Sequence, residues 1–425
     1  MKSADLYARR FQPRILKQAI LCSAPTGTTP LRSTLLKLLA CFVLIPGLAP
    51  GFLYGSEAPG SATPAVPDRL SMALPAELIA AVGIESNVYI DNAVLCLNPA
   101  NYAFDVVCPK GRQYAERWTW TPTEADVGAI PFELIVRDES NQIVSRGSMS
   151  IKVVAANTAT KQERSLLLIG DSLTHASIYA KQLLNLSNQN GHTPLTLVGS
   201  HRPIADAAEI RHEGYGGWTA HRFATHFTGT AREGEYAKRG SPFLYKQPDD
   251  SLKLDFPQYC KDVNEGKFPD AVTIFLGPND IFSYTDENLE NGIEFMLTHY
   301  DQLIAMVRAA SPTTRIGVML PVPGAASQDA FGKDYGTGQT RWQYKRNQHK
   351  LVQAMLKRYQ GRQSEQIQVI GTHLNLDAVH NYPTATVPPN AQSEEKIVRQ
   401  NNGVHPAESG YRQIGDSVYA WLISE

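Results

Sequence analysis

The chain has no excess of charge of either sign. Its 40 Lys and Arg face 41 Asp and Glu across 425 residues, a formal net charge of −1. That balance argues against a general polyanion-binding surface. No basic block reads as a nucleic-acid patch, so nucleic acid is not an expected partner. Cysteine is scarce, at five, and none sits in a recognisable catalytic context. No internal repeat or low-complexity tract is visible. The apolar stretch 38–53 is broken by Pro46, Gly47 and Pro50. It falls well short of the ~20 residues that a membrane span needs. His212-Glu213 does not open a His-Glu-x-x-His zinc motif, because Gly216 holds the last place. No metal and no cofactor is expected. What the chain does have is 43% hydrophobic residues against 19% charged. That composition supports sizeable cores, and the length suggests two or three domains.

Residues 1–58 read as a leader. Lys2, Arg9, Arg10, Arg14, Lys17, Arg32 and Lys37 precede the apolar stretch, and Ser56-Glu57-Ala58 suits a signal peptidase. This is the order of a secretory signal, so the expected location is periplasmic or extracellular, without a stable membrane span after cleavage. A membrane anchor is the other reading. Leu38-Leu39-Ala40-Cys41 resembles a lipobox, but its apolar region runs on past the Cys, so a lipoprotein is the lesser expectation. Cys22 and Cys41 fall in the leader. Export favours a disulfide between Cys96 and Cys108 and leaves Cys260 single. The alternative is two small buried hydrophobes.

Residues 59–69 read as a flexible linker. From 70 to 156 the pattern is β-like. Phe132, Leu134 and Val136 alternate with Glu133, Ile135 and Arg137, and Met149, Ile151 and Val153 alternate with Ser148, Ser150 and Lys152. A period of two predicts half-buried strands, here in a small all-β sandwich. The run Trp118-Thr119-Trp120-Thr121-Pro122-Thr123 with Asp126-Val127-Gly128 resembles the Ig-like modules that precede exported bacterial enzymes. The region is expected to be a passive spacer rather than a sugar-binding module. Residues 157–164 read as a second linker.

From 165 to 425 short apolar runs alternate with helical patterns. The runs lie at 166–169, 195–198, 271–276, 316–320 and 367–370. Near-continuous apolar runs suit strands covered on both faces. Leu289, Ile293, Met296, Leu303 and Val307 share a helix face, as do Tyr411, Ile414, Val418 and Leu422. This predicts an α/β domain built on a doubly wound, parallel, five-stranded sheet.

Ligands in such a sheet bind beyond the carboxyl ends of the strands. The first run leads into Gly170-Asp171-Ser172-Leu173-Thr174, and the second is followed by His212-Glu213-Gly214-Tyr215-Gly216-Gly217-Trp218-Thr219. The third leads into Gly277-Pro278-Asn279-Asp280, and Asn402-Gly403-Val404-His405-Pro406 precedes the last helix. Each block supplies something acyl transfer needs. A Ser at a strand-to-helix turn presents its hydroxyl and a free backbone N–H. A Gly backbone and an Asn amide can receive an oxyanion. A His takes and returns the proton.

Together these blocks resemble the SGNH or GDSL hydrolases. Their marks are Gly-Asp-Ser-Leu, a lone Gly in a second block, Gly-x-Asn-Asp, and a C-terminal Asp-x-x-His. The resemblance covers about 165–425 in the right order. It implies a flavodoxin-like fold, Ser172 as nucleophile and His405 as base. It implies the N–H groups of Ser172 and Gly217 and the amide of Asn279 as oxyanion donors. Gly217 is chosen over Gly216 because it stands two residues before the Thr219 hydroxyl.

One position departs. Asn402 stands where the pattern has Asp. In serine proteases the same loss costs about 10⁴ in kcat. Three readings stay open. In one the Asn402 carbonyl or a backbone carbonyl orients the pair, in the second Asp377 supplies the carboxylate, and in the third the site is inactive. Trp218 and Tyr215, beside the glycines, are candidate substrate contacts. The connection 230–265 is a candidate substrate loop. The expected function is hydrolysis of small acyl esters, acetyl foremost, on carbohydrate, by a monomer. A lipase or arylesterase, or an impaired carbohydrate-binding protein, is the alternative.

Overall fold

The computed structural model describes residues 70–156, 163–189, 192–204, 206–227 and 240–424. The leader, the linker 59–69, Cys22, Cys41 and most of the linker 157–164 lie outside the described residues. From Val66 onward the chain forms one compact unit.

The N-terminal part is all-β apart from one short α-helix and two single-turn 3-10 helices at Pro99–Asn101 and Glu124–Asp126. Its strands are β1 (Leu70–Met72), β2 (Glu77–Ala81), β3 (Ser86–Tyr89), β4 (Val94–Cys96), β5 (Ala103–Val107), β6 (Arg112–Gln113), β7 (Arg117–Trp120), β8 (Gly128–Arg137) and β9 (Ile143–Val154), with α1 (Ile90–Ala93) between β3 and β4. One sheet runs β2-β9-β8-β5, a second runs β3-β7-β6, and β1 pairs with β4. β2 is parallel to β9, and the other pairings are antiparallel. Phe132, Leu134 and Val136 of β8 meet Trp118 of β7 and Val88 of β3 in one core. Burial of each such side chain contributes about 1.5–3 kcal/mol.

The expected Cys96–Cys108 disulfide is not formed. Both are free thiols: Cys96 ends β4 under the core and Cys108 follows β5 at its edge. Burial raises both thiol pKa values. Cys260 is also a free thiol and is buried like Cys96, in the core beside Tyr259, whereas Cys108 is only partly buried.

The second part holds a parallel sheet of β10 (Arg164–Gly170), β11 (Leu195–Val198), β12 (Glu213–Gly214), β15 (Ala271–Phe275), β16 (Arg315–Met319) and β17 (Ile367–Ile370). Between β12 and β15 lies an antiparallel hairpin of β13 (Leu244–Lys246) and β14 (Leu252–Leu254). A second hairpin, β18 (Thr384–Val387) with β19 (Ile397–Gln400), follows β17. The long strands run in the order β11-β10-β15-β16-β17, with β12 paired to the end of β10. The sheet thus has six strands where five were expected. β12 is two residues long, too short to leave an apolar run in the sequence.

The helices are α2 (Ser172–His175), α3 (Ile178–Ser187), α4 (Ala220–Thr225), α5 (Phe256–Val263), α6 (Pro278–Ile281), α7 (Leu289–Ala310), α8 (Gln328–Tyr335), α9 (Arg341–Tyr359), α10 (Thr372–Asn375) and α11 (Glu408–Leu422). The strands divide their side chains between two cores. Leu167 and Ile169 of β10 join residues of α7 and α9, whereas Leu166 and Leu168 join residues of α3 and α11. Cover on both faces explains why the runs read as continuously apolar. The connection 230–265 is described from residue 240 onward. It contains the β13–β14 hairpin and α5, and Phe243, Phe256 and Tyr259 pin it into the core.

Candidate active site

Ser172 is the first residue of α2, directly after β10. Asp171 caps that helix, its Oδ1 accepting the Leu173 N–H at 2.9 Å. The turn therefore sets the serine hydroxyl at the carboxyl edge of the sheet. His405 Nε2 lies 2.9 Å from Ser172 Oγ, across 233 residues of sequence. Burial lowers the His405 pKa, and no charged group contributes. The imidazole is therefore neutral at pH 7 and able to accept a proton.

The third position is held without a carboxylate. Asn402 Oδ1 accepts the backbone N–H of Val404 at 3.1 Å and of His405 at 2.9 Å. It shapes the loop and does not bond to the ring. Asp377 is committed elsewhere. Its carboxylate accepts from Tyr89 Oη, from the N–H groups of Val379 and His380, and pairs with His380 Nδ1 at 3.0 Å. Among the described residues no hydrogen bond or ion pair joins Asp377 to His405, and none reaches His405 Nδ1. The segment that carries Asp377 turns its side chain toward the β-rich part instead.

Asn279 begins the second turn of the site. Its Nδ2 donates to Asp171 Oδ2 at 3.0 Å and to the Trp218 carbonyl at 3.2 Å. One amide thus ties together the three blocks of Ser172, Gly217 and Asn279. Gly277 sets the approach. It lies at φ +132°, and a Cβ there would meet Leu351 Cδ2 at 2.5 Å, so only glycine fits. Next to Asn279, Asp280 Oδ1 accepts the Ala220 N–H at 2.9 Å, while its Oδ2 is buried without a hydrogen-bond partner. Burial pushes Asp171 up to about 7. Burial and the neighbouring Asp171 push Asp280 up to about 8.

Gly217 lies at φ +73° with no heavy atom within 4 Å of where its Cβ would stand. Gly217 is exposed, and Gly216 is partly covered. The Thr219 hydroxyl faces away from the reaction: it caps α4 by accepting the Arg222 N–H at 3.0 Å.

The substrate-contact candidates are corrected by their burial. Trp218 is 1% exposed and Tyr215 0%. Their rings pack 4.7 Å apart in the core with Phe223, and the Arg222 guanidinium covers Trp218. The Tyr215 hydroxyl donates to the buried Glu213. These large apolar rings lose more by exposure than the glycine turn constrains, so the turn folds them inward. Only the Trp218 carbonyl serves the site. Two other histidines are structural. His212 Nδ1 accepts the Gly214 N–H, and its Nε2 meets Ser177 Oγ at 2.9 Å. His373 Nε2 donates to the Ala73 carbonyl at 3.1 Å. Among the described residues no three His, Cys, Asp or Glu side chains converge as a metal site, and no helix is long and apolar enough to cross a membrane.

Sequence reasoning missed what braces the His405 loop. Ala325 N–H donates to the Gly403 carbonyl at 3.0 Å. Gln400 Nε2 donates to the carbonyls of Ala378 and Val379 at 2.8 Å. Val404 packs against Phe331 and Tyr344. None of these has a spacing that marks it in the sequence.

The sequence pattern of the GDSL-like Lipase/Acylhydrolase family matches residues 166–418, more than half of the chain. Among solved structures, a family 3 carbohydrate esterase from Clostridium thermocellum is 17% identical. The match covers 61% of this chain and 94% of that one, at a TM-score of 0.36. A family 3 carbohydrate esterase from Talaromyces cellulolyticus is 16% identical, covering 61% and 96%, at a TM-score of 0.34. No curated protein matches the chain.

Proposed function

The chain belongs to the GDSL-like Lipase/Acylhydrolase family and is a serine ester hydrolase; within that class we propose that it releases small acyl groups, acetyl foremost, from esterified carbohydrate. The observation that carries the mechanism is the 2.9 Å contact between His405 Nε2 and Ser172 Oγ.

Ser172 Oγ attacks the ester carbonyl carbon as His405 Nε2 takes the hydroxyl proton. The carbonyl electron pair moves onto oxygen. The N–H groups of Ser172 and Gly217 and the Asn279 amide receive that oxyanion. Of the two Asn279 bonds, the longer one to the Trp218 carbonyl gives way, and Asp171 keeps the amide in place. Collapse breaks the ester C–O bond, and the leaving alcohol takes the proton from His405. Water then attacks the acyl-serine and gives its proton to His405. The carboxylic acid departs as Ser172 recovers its hydroxyl proton.

The substrate class rests on the leader-like N-terminus, the added β-rich part, and the partial exposure of Ser172 and His405, which opens the bond-breaking atoms to a bulky polymer. The same reading takes the protein to be exported and monomeric, with 70–156 as an Ig-like module. The test is acetate release from acetylated plant or algal polysaccharide and from p-nitrophenyl acetate. Activity confined to long-chain p-nitrophenyl esters would sink the carbohydrate assignment. A second reading, a carbohydrate-binding protein with an impaired site, is favoured by the absence of a carboxylate at His405 Nδ1 among the described residues. It prevails if Ser172→Ala changes no esterase assay while glycan binding persists.

A further inference from the structure

The β-rich part, expected from the sequence to be a passive spacer, makes buried polar contacts with the segment that follows β17. Three of its polar residues are buried against the segment 373–377: Asn87 at 1% exposed, Tyr89 at 5% and Asn92 at 6%. All three donate. Asn92 Nδ2 reaches the carbonyls of His373 at 2.9 Å and Leu376 at 2.8 Å. The Asn87 N–H and Nδ2 both reach Asn375 Oδ1 at 3.0 Å. Tyr89 Oη reaches Asp377 Oδ2 at 3.2 Å.

The segment they hold is the one that grips the histidine loop. The carbonyls of Ala378 and Val379 accept Gln400 Nε2, just before Asn402. The Asn381 carbonyl accepts the Ala407 N–H, just after His405, and the Pro383 carbonyl accepts the Asn401 N–H. Both ends of the loop therefore hang on 378–383, and its start rests on the three buried donors. The one carboxylate in this network, Asp377, bonds to Tyr89, His380 and backbone N–H groups rather than to His405, so the base is placed through its loop and not by a carboxylate on its ring.

We infer that Asn87, Tyr89 and Asn92 of the β-rich part are positioning residues for His405, acting through the turn at 373–383. They touch neither substrate nor the reacting atoms. This rests on the esterase reading, with His405 as base.

The experiment compares kcat, KM and the pH profile of kcat/KM for p-nitrophenyl acetate in the full chain and in Asn92→Ala, Tyr89→Phe and Arg146→Ala. Arg146 pairs with Glu133 on the exposed face of the β-rich part and serves as control. Asn92→Ala is expected to lower kcat about tenfold with KM unchanged, as misplacement of a catalytic group does. Tyr89→Phe, which loses only one hydroxyl and keeps the fold, is expected to lower kcat about threefold. In both, the acid limb moves up toward the ordinary imidazole value of 6.5, because a loosened His405 loses the burial that lowers its pKa. Arg146→Ala leaves both readouts at the starting values. Tyr89→Phe with wild-type kcat and acid limb overturns the inference, whether or not Asn92→Ala folds. Equal losses in Arg146→Ala overturn it too, since general weakening would then suffice. An unmodified chain that hydrolyses no ester refutes the esterase reading instead.

Discussion

The two halves of the proposed catalytic pair are held by different chemistry. Ser172 stands at the end of a buried strand, and its block is tied to Asn279 through the carboxyl of Asp171. Asp280 then anchors the start of α4. His405 stands on a loop whose hydrogen bonds are made by amides and backbone groups, among them Asn402, Gln400 and the backbone of Ala325, with Val404 packed on Phe331 and Tyr344. The carboxyls that a serine hydrolase would place behind its histidine are here on the nucleophile's side. The lesson is that a base can be placed by a neutral framework. What that framework does not supply is a negative charge to stabilise the imidazolium.

The most forceful way to break this comparison is to remove either member. Ser172→Ala and His405→Ala are each expected to lower kcat by about 10⁶, as loss of either member of such a unit does elsewhere. The double variant should be no slower than either single one. Additive losses would mean that the two side chains do not act together, and the 2.9 Å contact would lose its meaning.

Next in size is the neutral framework itself. Asn402→Ala removes an acceptor for two backbone N–H groups. The expected loss in kcat is about 10²-fold, with about 1–2 kcal/mol of stability. Asn402→Asp keeps the oxygen that accepts both N–H groups and should hold kcat within about threefold of the parent, since that oxygen faces the backbone rather than the ring. A rise of tenfold or more would mean that a carboxylate there does reach Nδ1, and the contrast between the two halves would collapse.

The sequence made one half more legible than the other. The strands of the parallel sheet stand out because side chains on both faces are buried, so 166–169 or 367–370 can hardly be anything else. Ser172, Gly217, Asn279 and His405 each follow from a short local pattern. The braces do not. Asp377 sits in the segment before the histidine loop, yet its carboxylate is turned to Tyr89 and His380. Trp218 adjoins Gly217, yet its ring is in the core. Asn87, within β3, and Asn92, in α1, look like ordinary polar residues in the sequence. Side-chain direction and partners far apart in sequence carry no local signal, and the histidine side depends on both.

The smallest expected effect tests whether the nucleophile's side really keeps its carboxyls uncharged. Asp280 has a folded pKa of about 8 against an ordinary value of 3.8, raised by burial and then by Asp171. Asp171 is raised to about 7. A raised carboxyl binds more protons when folded than when unfolded between those values. Stability must then fall as pH rises from about 4 to about 8. Chemical denaturation of the parent should show that decline, on the order of a few kcal/mol across the window. Asp280→Asn keeps an oxygen for the Ala220 N–H and removes the titration. It should reduce the decline, leave stability below about pH 4 little changed, and gain most at pH 8–9. A variant whose profile runs parallel to the parent's would mean that Asp280 is ionised in the folded protein. The nucleophile's side would then hold a buried negative charge beside its oxyanion donors, and the division of labour between the two halves would have to be redrawn.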